Sequence, residues 1–148
     1  MQLGSSKNPF PYFAGAVHRI LLVDDHKEGM DTLALGLRKR GYEVQGVSDA
    51  TEALSVIETF QPDGMIIEPV LAGLGGYELA RRIRHEAWGE QVKLIALTGY
   101  GHPECRILCE QAGFDRYLLK PMAIDILVGH LRGQLRQRDE KKSVQTTH

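Results

Sequence analysis

The chain has 148 residues and a nearly balanced charge, with 18 basic against 19 acidic side chains. This length suits one domain with its own core, and the balance gives no reason to expect nucleic acid or a membrane surface as a partner. The sequence shows no bilayer-spanning run, no secretory signal and only two cysteines, so we expect a cytoplasmic protein without a disulfide framework.

Apolar and β-rich runs predict five strands, at 20–23, 42–47, 64–68, 92–97 and 115–119. Amphipathic patterns predict a helix after each strand. Four of these helices are predicted at 27–40, 76–86, 103–112 and 122–138, and the helix after the second strand is predicted to start from a cap at Ser48 or Asp49. In the third helix, Arg81, Arg82 and Arg84 are predicted to form the solvated face. This alternation predicts an α/β fold, a single doubly wound (βα)5 domain whose five-stranded parallel sheet carries helices on both faces.

The two ends of the chain differ from its middle. Residues 1–17 mix Gly, Ser, Asn and two prolines with three aromatic side chains, which indicates a flexible N-terminal extension. Residues 136–148 are predicted to be the end of the last helix and a polar tail that frays from Asp139 onward. Residues 18–135 show no internal repeat or boundary, so they are predicted to form the one domain.

Polar side chains end four of the five predicted strands. Asp24 and Asp25 follow the first strand, and Glu68, Thr98 and Lys120 lie at the ends of the third, fourth and fifth. These groups are predicted to converge because the carboxyl ends of parallel strands share one edge of the sheet. The three carboxylates would repel one another unless they shared a cation, and Mg²⁺ prefers such oxygens. With a hydroxyl and an ammonium to hold an anion, the set predicts a site that handles phosphoryl groups.

The sequence resembles the receiver domains of response regulators in two-component signalling. The resemblance is carried by Val-Asp-Asp at 23–25, the acid at 68, Ala-Leu-Thr-Gly at 96–99 and Tyr-Leu-Leu-Lys-Pro at 117–121. It covers residues 18–135 and implies a flavodoxin-like fold. The stretch from Trp88 to Gly101 is similar to the receivers of hybrid sensor kinases, which suggests a phosphorelay.

The resemblance implies a role for each residue at the strand ends. Asp24 and Asp25 would hold Mg²⁺ together with the acid at position 68, which is the phosphoacceptor position. Thr98 and Lys120 would contact the acyl phosphate, and Tyr117 would be the switch aromatic. The bond between Lys120 and Pro121 is expected to be cis. The implied partners are a histidine kinase or phosphotransfer protein, and a second copy bound through the last helices and strand five.

The phosphoacceptor position departs from the family, which has Asp where this chain has Glu68. The following loop also differs, with Pro69 directly after the acid and Ala72 and Gly75 at positions where the family favours Pro and Asp. In-line phosphoryl transfer depends on the exact placement of the attacking oxygen. The longer side chain moves its carboxylate toward the place of the phosphoryl group, where it would meet Lys120 and Thr98.

This departure predicts a pseudo-receiver, non-phosphorylatable or phosphomimetic, that acts by protein contact, is not an enzyme and binds Mg²⁺ more weakly. A phosphorylatable receiver remains an alternative. A Mg²⁺-dependent phosphoryl-transfer enzyme is a second alternative, disfavoured because the sequence shows no separate general base or substrate-covering cap.

Two further features are open to more than one interpretation. His102, Cys105 and Cys109 are spaced as soft metal ligands on one helix face, but buried packing of the cysteines is favoured. The C-terminal part of the chain is basic, and a solvated helix end is favoured there over contact with an acidic partner. These basic residues are Arg132, Arg136, Arg138, Lys141 and Lys142.

Overall fold

The structure is a computed structural model that describes residues 17–146, with side chains to residue 143. Residues 1–16, which make up nearly all of the predicted N-terminal extension, lie outside the described residues, and so do residues 147–148.

Five parallel strands form one sheet in the order β2-β1-β3-β4-β5. The strands are β1 (Arg19–Val23), β2 (Glu43–Val47), β3 (Gly64–Ile67), β4 (Lys93–Thr98) and β5 (Arg116–Leu119). The helices are α1 (Lys27–Lys39), α2 (Ala50–Phe60), α3 (Gly76–His85), α4 (Pro103–Ala112) and α5 (Ile124–Thr146). A short 3-10 helix, Ala87–Glu90, lies between α3 and β4. The predicted fold class is confirmed.

Both faces of the sheet are covered, because successive side chains of each inner strand point to opposite sides. In β1, Leu21 and Val23 pack with α2, α3 and α4, whereas Ile20 and Leu22 pack with α1 and α5. The side chains of β3 are all buried. This double burial explains why the inner strands are apolar without alternation.

Local sequence signals fix the helix ends. Asp49, not Ser48, is the N-cap of α2, and its carboxylate accepts a hydrogen bond from the Glu52 N–H at 2.7 Å. The Glu52 carboxylate accepts in turn from the Ser48 N–H, so the two acids close the first turn reciprocally. Helices α1 and α4 stop at Gly41 and Gly113, both with positive φ, the conformation that glycine adopts most readily.

The last helix corrects the sequence prediction at both ends. It begins at Ile124 rather than at 122, and it continues to Thr146 rather than fraying from Asp139. Side-chain contacts tie this extension to the body of the domain: Arg138 pairs with Asp63 at 2.9 Å, and Asp139 pairs with His18 at 2.9 Å. Periodicity missed the extension because its residues are polar on all sides.

Arg84 also differs from the prediction, because it is not part of a solvated face. Its guanidinium donates to the carbonyl oxygens of Gly89, Val92 and Gly113, at 2.7, 2.7 and 2.9 Å, and pairs with Asp115 at 2.8 Å. Arg81 and Arg82 are exposed, as predicted. Arg84 therefore joins α3, the start of β4 and the turn between α4 and β5.

Within residues 17–146, no helix is both long enough and apolar enough to cross a membrane.

Candidate functional site

The sheet register brings the four strand ends together. Val23 is the register partner of Ile67, Ile67 of Ala96, and Thr98 of Leu119. Backbone hydrogen bonds continue one residue past the ladders, from the Glu68 N–H to the Val23 carbonyl and from the Lys120 N–H to the Thr98 carbonyl. The backbones of Glu68 and Lys120 are therefore as well fixed as the strands. The Lys120–Pro121 bond is cis, as expected.

Lys120 lies at the centre of the predicted site. Its Nζ is 2.7 Å from Asp24 Oδ2 and 3.4 Å from Glu68 Oε1. Each carboxylate also accepts from a backbone N–H with its other oxygen: Asp24 Oδ1 from His26, and Glu68 Oε2 from Val70, both at 3.0 Å. The two acids are therefore held from both sides, by one shared ammonium and by the loops that follow them.

The burial of this cluster makes the ion pairs necessary. Glu68 is only 7% exposed, and an unpaired carboxylate in such a place would be costly. Burial by itself would lower the pKa of Lys120. The hydrogen bond and charge of Asp24, and then those of Glu68, outweigh it and raise that pKa. Lys120 is therefore a cation at neutral pH, and it faces both carboxylates.

Thr98 and Tyr117 both form hydrogen bonds with the backbone of Tyr100, a residue that the sequence analysis did not identify. The fully buried Thr98 accepts a hydrogen bond on its hydroxyl from the Tyr100 N–H at 3.2 Å. The Tyr117 hydroxyl donates to the Tyr100 carbonyl. The loop between β4 and α4 thus joins the threonine to the strand-five aromatic through Tyr100. The Arg106 guanidinium lies 5.5 Å from the centroid of the Tyr117 ring.

The carboxylates have the chemistry that Mg²⁺ prefers, but in this structure two of the three pair with a lysine instead. Asp24 and Glu68 both face the Lys120 ammonium, and Asp25 is exposed. In the described part of the chain, no group of three His, Cys, Asp or Glu side chains is placed to hold a metal. The assignment of Asp24, Asp25 and Glu68 as ligands stays a prediction, and no step proposed below depends on a metal.

Glycine permits a close approach next to Glu68. A Cβ at Gly76, the first residue of α3, would lie 2.5 Å from the Glu68 carbonyl oxygen and 2.6 Å from Pro69 Cα. Only glycine lets the helix begin so near the strand end. The run of glycines after Glu68 was the sequence signal for this contact, although it did not identify which one makes it.

The histidine and cysteines of α4 do not gather as metal ligands. His102 is the N-cap residue of the helix, Cys105 is half-buried and Cys109 is buried. Burial raises the pKa of the Cys109 thiol to about 11, which keeps it protonated at neutral pH. These observations favour the packing interpretation of the cysteines.

Residues 20–132 match the family described as the response regulator receiver domain, and the chain belongs to that family. It is 33% identical over 132 residues to the response regulator MprA of Mycobacterium avium, covering 87% of this chain and 57% of that protein. The MprA of Mycobacterium tuberculosis is also 33% identical, over 119 residues that cover 80% of this chain and 51% of that protein. The chain thus spans little more than half the length of these curated relatives.

Two solved receiver structures share the fold over nearly their whole length. A CheY-like receiver domain protein from Methanospirillum hungatei superposes with a TM-score of 0.79 at 28% identity, covering 84% of this chain and 98% of that one. The receiver of a sensor histidine kinase from Pseudomonas aeruginosa superposes with a TM-score of 0.74 at 33% identity, covering 80% and 98%. That receiver was crystallised with a magnesium ion coordinated in its active-site cleft. The predicted family and its place in two-component signalling are confirmed.

Proposed function

We propose that this chain is a receiver module of a two-component phosphorelay that acts by protein contact, with Glu68 in the role of a permanent substitute for the phosphorylated acceptor. We place the receiver unit at residues 18–135. The observation that carries the proposal is the buried Glu68 carboxylate, 3.4 Å from the Lys120 ammonium.

The geometry around Glu68 opposes its use as a nucleophile. In-line attack requires a carboxylate oxygen free to approach a phosphorus atom. Here Oε1 faces Lys120 and Oε2 accepts the Val70 N–H. Lys120, the residue that would receive the phosphoryl oxygens, is already paired with two carboxylates. A phosphoryl group would have to break both contacts of Glu68 before it formed its own.

The same pairing supports weaker magnesium binding than the family shows. A divalent ion bound by Asp24 and Glu68 would have to displace the Lys120 ammonium from between them. Two positive charges close together in a partly buried site repel each other strongly. In this proposal Lys120 supplies the positive charge that a metal would otherwise bring.

The outer face of α4, β5 and α5 supports an output by contact. It exposes Ile107, Leu119 and Ile126, which are 53%, 45% and 57% accessible. Tyr100, half exposed at the same end of the sheet, is the residue held by Thr98 and Tyr117. Grouped apolar side chains on a surface are typical of interaction sites. We propose that a histidine kinase, a phosphotransfer protein or a second copy of the chain binds there.

Beryllofluoride, which mimics a phosphoryl group on a carboxylate, tests the proposal. We expect the backbone amide NMR spectrum of the wild-type chain in Mg²⁺ to stay unchanged when beryllofluoride is added. In Glu68→Asp, which shortens the side chain and withdraws it from Lys120, we expect shifts at Thr98, Tyr100 and Lys120. Shifts of the same size in the wild-type chain would show that position 68 accepts a phosphoryl group, which is the phosphorylatable alternative.

A further inference from the structure

A groove of about 800 Å³ opens at the edge of the sheet opposite Glu68. It lies between the turn after α1 and the second half of α5, and we call it the basal groove. Tyr42, whose hydroxyl meets the Arg132 guanidinium, and the largely buried Leu135 form its floor, and Arg132, Arg136, His18 and Asp139 are among its walls. The basal groove exists because α5 continues past the point where periodicity predicted its end.

The charges in the basal groove do not cancel. Asp139 is already paired with His18 at 2.9 Å and with Arg138 at 3.2 Å, and Arg40 is paired with Asp125 at 2.7 Å. Arg132 and Arg136 are exposed, and no carboxylate of the described residues lies within ion-pair distance of either.

Glu140, at the rim, is the one acid that lines the groove and has no ion pair within the described residues. The α5 side of the groove therefore carries two guanidinium groups and one such carboxylate.

The residues that precede His18 in the sequence do not complement the charge of these arginines. The described chain starts at Val17, beside His18, but residues 1–16 contain no acidic side chain and one lysine. The fitting occupant is therefore acidic, because guanidinium groups bind carboxylates in paired hydrogen bonds. The floor formed by Tyr42 and Leu135 has room for an apolar side chain between the acids.

We propose that the basal groove binds an acidic segment of a partner protein, with Arg132 and Arg136 pairing with its carboxylates and an apolar side chain packing on Tyr42 and Leu135. The basal groove and Glu68 lie at opposite edges of the sheet. Binding there is independent of the proposed function and of the state of position 68.

A fluorescein-labelled peptide of alternating glutamates and aspartates with two central leucines serves as the probe. Fluorescence anisotropy measures its affinity for the full chain at low salt, where surface charges are least screened. We expect Arg132→Gln/Arg136→Gln to weaken binding by at least about tenfold, since both charged partners are lost. Lys141→Gln/Lys142→Gln removes the same charge from the same helix, outside the groove lining, and we expect a change of less than about twofold.

Each remaining outcome bears on the proposal. Equal losses of peptide affinity in the two double variants would mean that the peptide is attracted by the basic helix in general. That result would overturn the proposal. Absence of binding to the wild-type chain, or displacement of the peptide by a single-stranded oligonucleotide of equal charge, would also overturn it. Circular dichroism melts establish that both variants are folded. Glu68→Asp is expected to bind the probe like the wild-type chain, which separates this result from the proposed function.

Discussion

Tyr77 and Tyr117, two tyrosines near the site, differ in what their hydroxyl groups contact. The Tyr77 hydroxyl oxygen is buried, and in the described part of the chain it meets only the Cys105 and Cys109 thiols, which are weak hydrogen-bonding groups. Burial, and then the neighbouring Cys105 and Cys109 thiols, raise the pKa of Tyr77 well above its usual range. The Tyr117 hydroxyl, by contrast, donates to the Tyr100 carbonyl.

Removal of each hydroxyl should therefore have a different effect. We expect Tyr77→Phe to leave the free energy of unfolding unchanged or to raise it by up to about 1 kcal/mol, because the buried hydroxyl that is lost has only weak thiol neighbours. Tyr117→Phe should lower it by about 0.5–1 kcal/mol. Urea denaturation measures both. A loss in Tyr77→Phe as large as that in Tyr117→Phe would show that Tyr77 has a bonding partner after all.

Lys120 should make the stability of the fold depend on alkaline pH. Its pKa is raised above the usual value of 10.5 in the folded state. A group whose pKa is raised by folding contributes its full stabilisation at pH values below the pKa that it has in the unfolded chain. That contribution is lost as the pH rises through the pKa that the group has in the folded chain. We expect the wild-type free energy of unfolding to fall more steeply above pH 10.5 than that of Lys120→Met, as chemical denaturation across this range would show. Parallel curves would mean that Lys120 has no net interaction with Asp24 and Glu68.

At the scale of elements, Arg84 holds three parts of the domain together through its contacts with Gly89, Val92 and Gly113 and its pair with Asp115. We expect Arg84→Lys to lower the free energy of unfolding by about 2–4 kcal/mol, since a lysine cannot reproduce the planar array of donors. Arg82→Lys, on an exposed part of the same helix, should change it by less than about 0.5 kcal/mol. Similar losses of unfolding free energy in the two variants, measured by thermal or urea unfolding, would support the original prediction that Arg82 and Arg84 share a solvated face.

The elements could be predicted where the sequence has a strong period or a specific end signal. The inner strands were clear because both of their faces are buried, and α4 was clear because Gly113 ends it. The extension of α5 could not be predicted, because contacts with His18 and Asp63, distant in sequence, hold it in place. The partial burial of Arg84 was missed for the same reason, since its partners lie on other elements.

At the scale of the whole molecule, topology explains how much of the site the sequence could predict. Alternating strands and helices place every strand end at one edge, so the proximity of Asp24, Glu68 and Lys120 followed from sequence order alone. The direct pairing of Glu68 with Lys120 was predicted and is confirmed. Among the described residues no hydrogen bond joins Glu68 to Thr98, whose hydroxyl accepts from the Tyr100 N–H. The orientation of such a side chain depends on a loop conformation that no periodicity encodes.

The most direct test of the central claim, that Glu68 does not accept a phosphoryl group on a scaffold that otherwise could, is the intact mass of the chain after incubation with Mg²⁺ and a small-molecule phosphodonor. We predict that the wild-type chain keeps its mass, while Glu68→Asp gains the mass of one phosphoryl group because the scaffold around position 68 remains competent. Glu68→Gln, which has no carboxylate at that position, is the matched negative control. A wild-type chain that gains one phosphoryl group, when Glu68→Gln does not, would contradict the account.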